Sequence, residues 1–232
     1  MHDGLAYTLW LPSAPLPPRA GIVILHGAGS SKESHHDFAR FVLGAGFAAV
    51  AFDQRGHGAS DGPMDDRVLE DVAAIASLLR EAIGDPAAPV ALRGSSMGGY
   101  LAILAAQPIK ASAVVAICPA SGEGLRRGLS TGTLRFGADA SALKSFLRAH
   151  QLEAAVRALT VPLLLLHAEG DEQVPVQHSR ELADAVSSPG SRLIVVPGGH
   201  HRSIQHDQEL QAVSLRFLEQ SLGVGGRRST SA

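Results

Sequence analysis

Six short apolar runs recur along this chain, each separated from the next by a much longer stretch: Gly21–Leu25, Ala48–Phe52, Val90–Arg93, Ala113–Ile117, Pro162–His167 and Arg192–Val196. Runs of this length with little internal alternation match strands buried on both faces. The intervals are long enough for crossover helices, and they carry helical periodicity. In Arg67–Ile83, for example, Val68, Leu69, Val72, Ile75, Ala76 and Leu79 share one side, with Glu70, Asp71 and Arg80 elsewhere. Further helices are expected over Ser34–Ala45, Met97–Gln107, Gln177–Val186 and Gln205–Leu222. With one more strand at Leu5–Leu11, the pattern predicts an α/β fold: a mostly parallel sheet of about seven strands with helices on both faces. Ala14–Ala20 is proline-rich and reads as the connection after the first strand.

A chain of 232 residues, 45% hydrophobic and 18% charged, has enough apolar mass for one well-buried domain. We assign it to residues 1–222, with 223–232 as a disordered tail. The net charge of −2 gives no electrostatic reason to expect nucleic acid or an anionic membrane as partner. Met1-His2-Asp3-Gly4 carries neither a basic region nor an apolar run, so no signal peptide or membrane span is expected. Cys118 is the single cysteine, which rules out an intrachain disulfide and points to a cytoplasmic location.

Chemistry concentrates where the run Val90–Arg93 meets the helix beginning at Met97. Gly94-Ser95-Ser96-Met97-Gly98 places Ser96 on a sharp strand-to-helix turn, its hydroxyl pushed out at the top of the sheet. Gly94 and Gly98 stand where side chains would collide, and the Met97 N–H points to where negative charge would develop. A serine nucleophile needs a base and an orienting carboxylate. Downstream, Asp171 lies on the loop leaving Pro162–His167, flanked by Glu169 and Glu172. After Arg192–Val196 comes Pro197-Gly198-Gly199-His200-His201, which offers two histidines.

The chain resembles the α/β-hydrolase superfamily, in its compact form that includes small esterases, thioesterases and dienelactone-hydrolase-like proteins. Four segments carry the likeness: Leu25-His26-Gly27-Ala28-Gly29-Ser30, Phe52 to Ser60 with its Arg55-Gly56-His57-Gly58 core, the Ser96 elbow, and the Asp171 and His201 loops. The resemblance implies Ser96 as nucleophile, Asp171 as acid and His201 as base, since the family's Pro-Gly-x-x-His ending puts His201 in register rather than His200. It implies an oxyanion site made by the N–H groups of Ala28 and Met97. The implied reaction is cleavage of a small carboxylic ester or thioester through an acyl-enzyme, with no cofactor. The same triad serves acyl transfer or peptide cleavage in other settings, and the fold also exists as a silent binding scaffold. No oligomeric state is implied.

Two departures from the family pattern stand out. Only one strand fits before Gly21, where the superfamily usually has two. The segment from Pro119 to about Thr160, where the family inserts a cap, is roughly forty residues long, enough for one or two helices. Its Phe136, Leu143, Phe146 and Leu147 either line an acyl pocket or pack the segment onto the core.

Other residues carry weaker signals. Gly27-Ala28-Gly29-Ser30-Ser31-Lys32 misses both nucleotide-binding fingerprints, because Lys32 stands where a third glycine is needed and no Gly-Lys-Ser/Thr follows. His26, Asp53 and His57 are expected to organise loops, and His35 and His36 to be solvated at a helix start. Eleven histidines raise the question of zinc, but neither His-Glu-x-x-His nor Cys-x-x-Cys is present, so no metal is expected. Arg126, Arg127 and Arg135 either form a solvated cap surface or recognise a substrate carboxylate or phosphate, and Cys118 reads as a small buried residue.

Overall fold

In the computed structural model, which describes residues 1–13, 18 and 20–223, the apolar runs pair into one sheet. Its strands are β1 (Tyr7–Trp10), β2 (Gly21–Leu25), β3 (Ala48–Phe52), β4 (Val90–Ser95), β5 (Ala113–Ile117), β6 (Leu163–Ala168) and β7 (Arg192–Val196). They lie in the order β1-β3-β2-β4-β5-β6-β7. Every neighbouring pair is parallel except β1 against β3. Among the described residues the sheet therefore has seven strands, one of them before Gly21, as the sequence predicts. Most of the Ala14–Ala20 connection and all of the expected tail beyond Gly223 lie outside the described residues.

Burial on both faces explains why β2 to β6 read as continuous apolar runs, whereas β7, expected to be buried likewise, is half-exposed because it lies at the sheet edge, as β1 does at the other. Along β2, Val23 and Leu25 face one core while Ile22 and Ile24 face the other; along β3, Val50 and Phe52 alternate with Ala49 and Ala51 in the same way. The first core is covered by α2 (Val68–Ile83), α3 (Met97–Ala105) and α7 (Val176–Ala185), and the second by α1 (His36–Gly44) and α9 (Gln208–Ser221).

The helices differ from expectation in two places. The β5–β6 connection holds three helices rather than one or two: α4 (Gly122–Thr131), α5 (Ala140–Ala149) and α6 (Leu152–Ala158). Two of them start at a local signal, with the Ser121 side chain capping α4 and that of Asp139 capping α5, while α6 has no side-chain cap. The expected helix Gln205–Leu222 is instead split into α8 (Ser203–His206) and α9. Asp207 causes the break: it is extended at ψ 121° and its carboxylate accepts from the Leu210 N–H at 3.0 Å, so a new helix begins there.

Strand order fixes the site's location. From β2 the chain passes outward to β3, and from β4 outward to β5, so the order reverses between β2 and β4. At such a switch point the loops beyond the strands' carboxyl ends diverge and leave a crevice. Leu25 pairs with Gly94 in the β2–β4 register, which sets the loop after Leu25 beside the turn at Ser96.

Candidate active site

Ser96 adopts φ 54°, ψ −117°, backbone that a side chain rarely accepts. Hydrogen bonds hold it there from both directions. Its N–H donates to the Ile117 carbonyl at 2.9 Å, and its carbonyl accepts from Ala120 at 3.0 Å and Tyr100 at 3.1 Å. The flanking glycines are steric requirements: a Cβ on Gly98 would overlap the Leu25 carbonyl and stand 2.6 Å from that of His26, and one on Gly94 would overlap Gly98. Strand β4 and helix α3 therefore close tightly on β2, and the half-buried Ser96 is left at the crevice.

The loop after β2 reaches the same point. A Cβ on Gly27 would stand 3.3 Å from that of Ser96, a tight contact that a glycine avoids. Two buried histidines shape the loop. His26 Nδ1 lies 2.8 Å from the Gly27 carbonyl, and its Nε2 accepts the Gln54 N–H at 3.1 Å, which puts the proton on Nδ1. His57 Nε2 accepts the Gly29 N–H at 3.0 Å while Nδ1 faces the Arg55 carbonyl at 3.1 Å. Phe136 stacks on the His57 ring at 4.3 Å. Burial lowers the pKa of both, that of His26 to about 4. Among the described residues the Ala28 N–H has no acceptor, and that of Met97 opens α3, so both remain available to a ligand.

Asp171 and His201 come together as the sequence places them. His201 Nδ1 lies 2.6 Å from Asp171 Oδ2, and Oδ1 accepts the N–H groups of Gln173 and Val174, each at 2.8 Å. His200 is exposed and bonds only locally, its Nδ1 accepting the Arg202 N–H at 3.3 Å. Burial works to raise the pKa of Asp171, but the imidazoles of His167 and His201 and the two N–H groups outweigh it, holding the carboxyl well below the usual range. Glu172 is exposed, with Oε2 at 3.3 Å from the His201 N–H, and Glu169 is an exposed loop charge.

Ser96 lines two cavities. One, of about 490 Å³, is shared with Ala28 and His201; the other, of about 830 Å³, runs between α4 and α7 past Leu125, Leu134, Val174, Arg127, Glu123 and Glu181. Ser96, Ala28 and the carboxylate-bound imidazole of His201 thus line one solvent-accessible crevice, an arrangement suited to acyl transfer. The family model described as "Serine aminopeptidase, S33" matches residues 16–134 and 133–209. The chain belongs to this family. A monoacylglycerol lipase of Mycolicibacterium smegmatis is 29% identical, over 88% of this chain and 88% of its own length. A mitochondrial palmitoyl-protein thioesterase of Mus musculus is 30% identical, over 70% of this chain and 61% of its own. Among solved structures, Est1E of Butyrivibrio proteoclasticus with ferulic acid bound superposes with a TM-score of 0.78 at 21% identity, covering 96% of this chain and 98% of that one.

In this S33 hydrolase the structure corrects the expected solvation of two histidines and decides between alternatives elsewhere. His35 is not solvated at a helix start: it is buried against Arg93, whose Nη1 lies 3.4 Å from its Nδ1. His36 is half-buried, edge-on to Trp10 at 4.8 Å. Leu143, Phe146 and Leu147 are buried core residues around a space of about 10 Å³, too small for an acyl chain. Arg127 lines the larger cavity, and Arg126 has its Nε buried. Lys32 pairs with Asp53 at 2.7 Å and so anchors the loop after β2.

Two neighbours of Asp171 escaped the sequence reading. Fully buried Cys118 brings its Sγ within 4.8 Å of the ligand atoms of Asp171 and His201. Burial pushes its thiol pKa up, so it stays protonated there, and the Asp171 oxygens already face N–H donors; this set suits proton handling rather than a metal. The other neighbour is His167, one more residue of an apolar strand by sequence, with no local signal that its ring meets Asp171.

Proposed function

We propose that this α/β hydrolase, which acts on ester bonds, does so through an acyl-enzyme formed on Ser96. The observation that carries the reading is the 2.6 Å contact between His201 Nδ1 and Asp171 Oδ2 at the cavity that Ser96 also lines. With its proton directed at Asp171 from Nδ1, the imidazole offers Nε2 as the base. Ser96 Oγ attacks the ester carbonyl as Nε2 takes its proton, and the N–H groups of Ala28 and Met97 stabilise the oxyanion. Collapse expels the alcohol or thiol, which takes the proton from His201. A water molecule then repeats the sequence on the acyl-enzyme and regenerates Ser96.

The relatives' names, monoacylglycerol lipase and palmitoyl-protein thioesterase, support small oxygen esters or thioesters with an aliphatic acyl group as the substrate class. The larger cavity has room for such a group beside Leu125, Leu134 and Val174. A second reading, aminopeptidase action, draws on the family's description and on Glu123 and Glu181 in that cavity, whose carboxylates would attract a substrate ammonium group.

The test is intact mass after fluorophosphonate treatment of wild type, Ser96→Ala and Cys118→Ala, alongside turnover of p-nitrophenyl esters from acetate to octanoate and of aminoacyl p-nitroanilides. One adduct absent only from Ser96→Ala, with parallel loss of ester turnover, is expected. Faster anilide than ester cleavage favours the peptidase. A folded wild type with neither adduct nor turnover makes the protein a silent binding scaffold.

A further inference from the structure

Resting on Asp171 and His201 as acid and base, we propose that His167 is a positioning residue that holds the Asp171 carboxylate in the plane His201 requires. A histidine among the leucines of β6 needs a reason, because a buried polar ring is tolerated only when its nitrogens are partnered. His167 is 0% exposed. Its Nε2 faces two oxygens, the Val174 carbonyl at 2.9 Å and Asp171 Oδ2 at 3.3 Å, so it carries a proton. Nδ1 lies 2.7 Å from the Oγ of Ser179, a fully buried residue of α7, and in the neutral ring it accepts that hydroxyl's proton. The two oxygens at Nε2 therefore fix the tautomer that points N–H at the acid loop, and the Ser179 hydroxyl satisfies the nitrogen left over.

The loop is gripped from both sides. Val174 donates its N–H to Asp171 Oδ1 and offers its carbonyl to His167, so the ring closes the turn from Asp171 to Val174 from beneath. Oδ2 then lies between two imidazoles, His201 at 2.6 Å and His167 at 3.3 Å. With two N–H groups on Oδ1 and a ring on each side of Oδ2, the carboxylate has little freedom to rotate. The other titratable groups facing this cluster are Cys118 from the end of β5, Glu172 from the same loop and His178 from α7.

A purely packing role predicts that replacing His167 changes stability alone. A positioning role predicts that it changes His201 as well. A carboxylate that loses one N–H neighbour is more basic and draws harder on the proton it shares with His201. The full chain is prepared as wild type, His167→Leu and His167→Gln, the glutamine keeping an amide N–H near the place of Nε2. For His167→Leu we expect kcat for a p-nitrophenyl ester to fall about tenfold, the scale seen when a group orienting a functional side chain is removed, with KM within about twofold. The acid limb of kcat/KM moves to higher pH, and the His201 Nδ1–H proton resonance of histidine-labelled protein moves downfield. His167→Gln recovers most of each change.

An unchanged acid limb and resonance in folded His167→Leu overturns the proposal, whatever happens to its thermal midpoint. The resonance needs no turnover. A wild type that hydrolyses no ester defeats the functional reading, while the resonance still decides the role of His167.

Discussion

At the scale of single residues, Ser96 sits in backbone that an alanine finds as uncomfortable as a serine does, at φ 54° and ψ −117°. A glycine accepts it freely, although it also gains freedom in the unfolded chain. Strain at such positions is worth about 1–3 kcal/mol, comparable to many single core contacts. Ser96→Gly is therefore expected to unfold at higher denaturant than Ser96→Ala, with ester turnover lost in both. Equal denaturant midpoints for the two variants would mean that the turn stores no strain. The same scale explains how His201 is distinguished from His200. Adjacent residues of one loop project differently, and only the His201 ring reaches Asp171, at 2.6 Å.

Elements act through close approach. Helix α3 can begin one residue after Ser96 only because Gly94 and Gly98 let β4, β2 and the helix pack backbone on backbone. A Gly98→Ala methyl meets the carbonyls of Leu25 and His26, so the helix must move away from β2. That shift separates the Ala28 and Met97 N–H groups. We expect a loss of about 1–3 kcal/mol in stability, the usual range for overpacking, and a fall in kcat larger than any change in KM. Urea melts with steady-state kinetics check this; a variant with wild-type kcat would show that the elbow tolerates the shift.

For the molecule as a whole, buried neutral histidines make stability sensitive to acid. His26 titrates at about 4 in the fold, and burial also lowers His35 and His57. In the unfolded chain histidines take up protons near pH 6.5. Between those values the unfolded state binds more protons, so stability falls as pH drops. For fully buried His26 this is on the order of 3 kcal/mol, present above about pH 6.5 and lost by about pH 4. Denaturant midpoints measured from pH 7 to 4.5 should fall steeply for the wild type and less steeply for His26→Gln. Parallel slopes would place the acid sensitivity elsewhere. Among the described residues no helix is long and apolar enough to cross a membrane.

The strands, the burial of β2 to β6 on both faces and the turn at Ser96 were legible in the sequence, because they follow from short-range patterns: apolar run length, glycine placement and the order of loops; the apolar run of β7 did not reveal that it lies half-exposed at the sheet edge. Asp171 and His201 were legible as residues of the loops that follow two apolar strands, β6 and β7. What those loops meet follows from long-range packing. Whether His201 or His200 faces Asp171 depends on side-chain direction in a loop, which no periodicity encodes. His167, Cys118 and Ser179 come from β6, the end of β5 and α7, and only the folding of the sheet brings them to one carboxylate. The β5–β6 connection was least legible, for its helices answer to capping by Ser121 and Asp139 and to packing on the first core rather than to a long periodic signal. Local chemistry wrote the fold and the candidate site's parts list; long-range packing chose the partners.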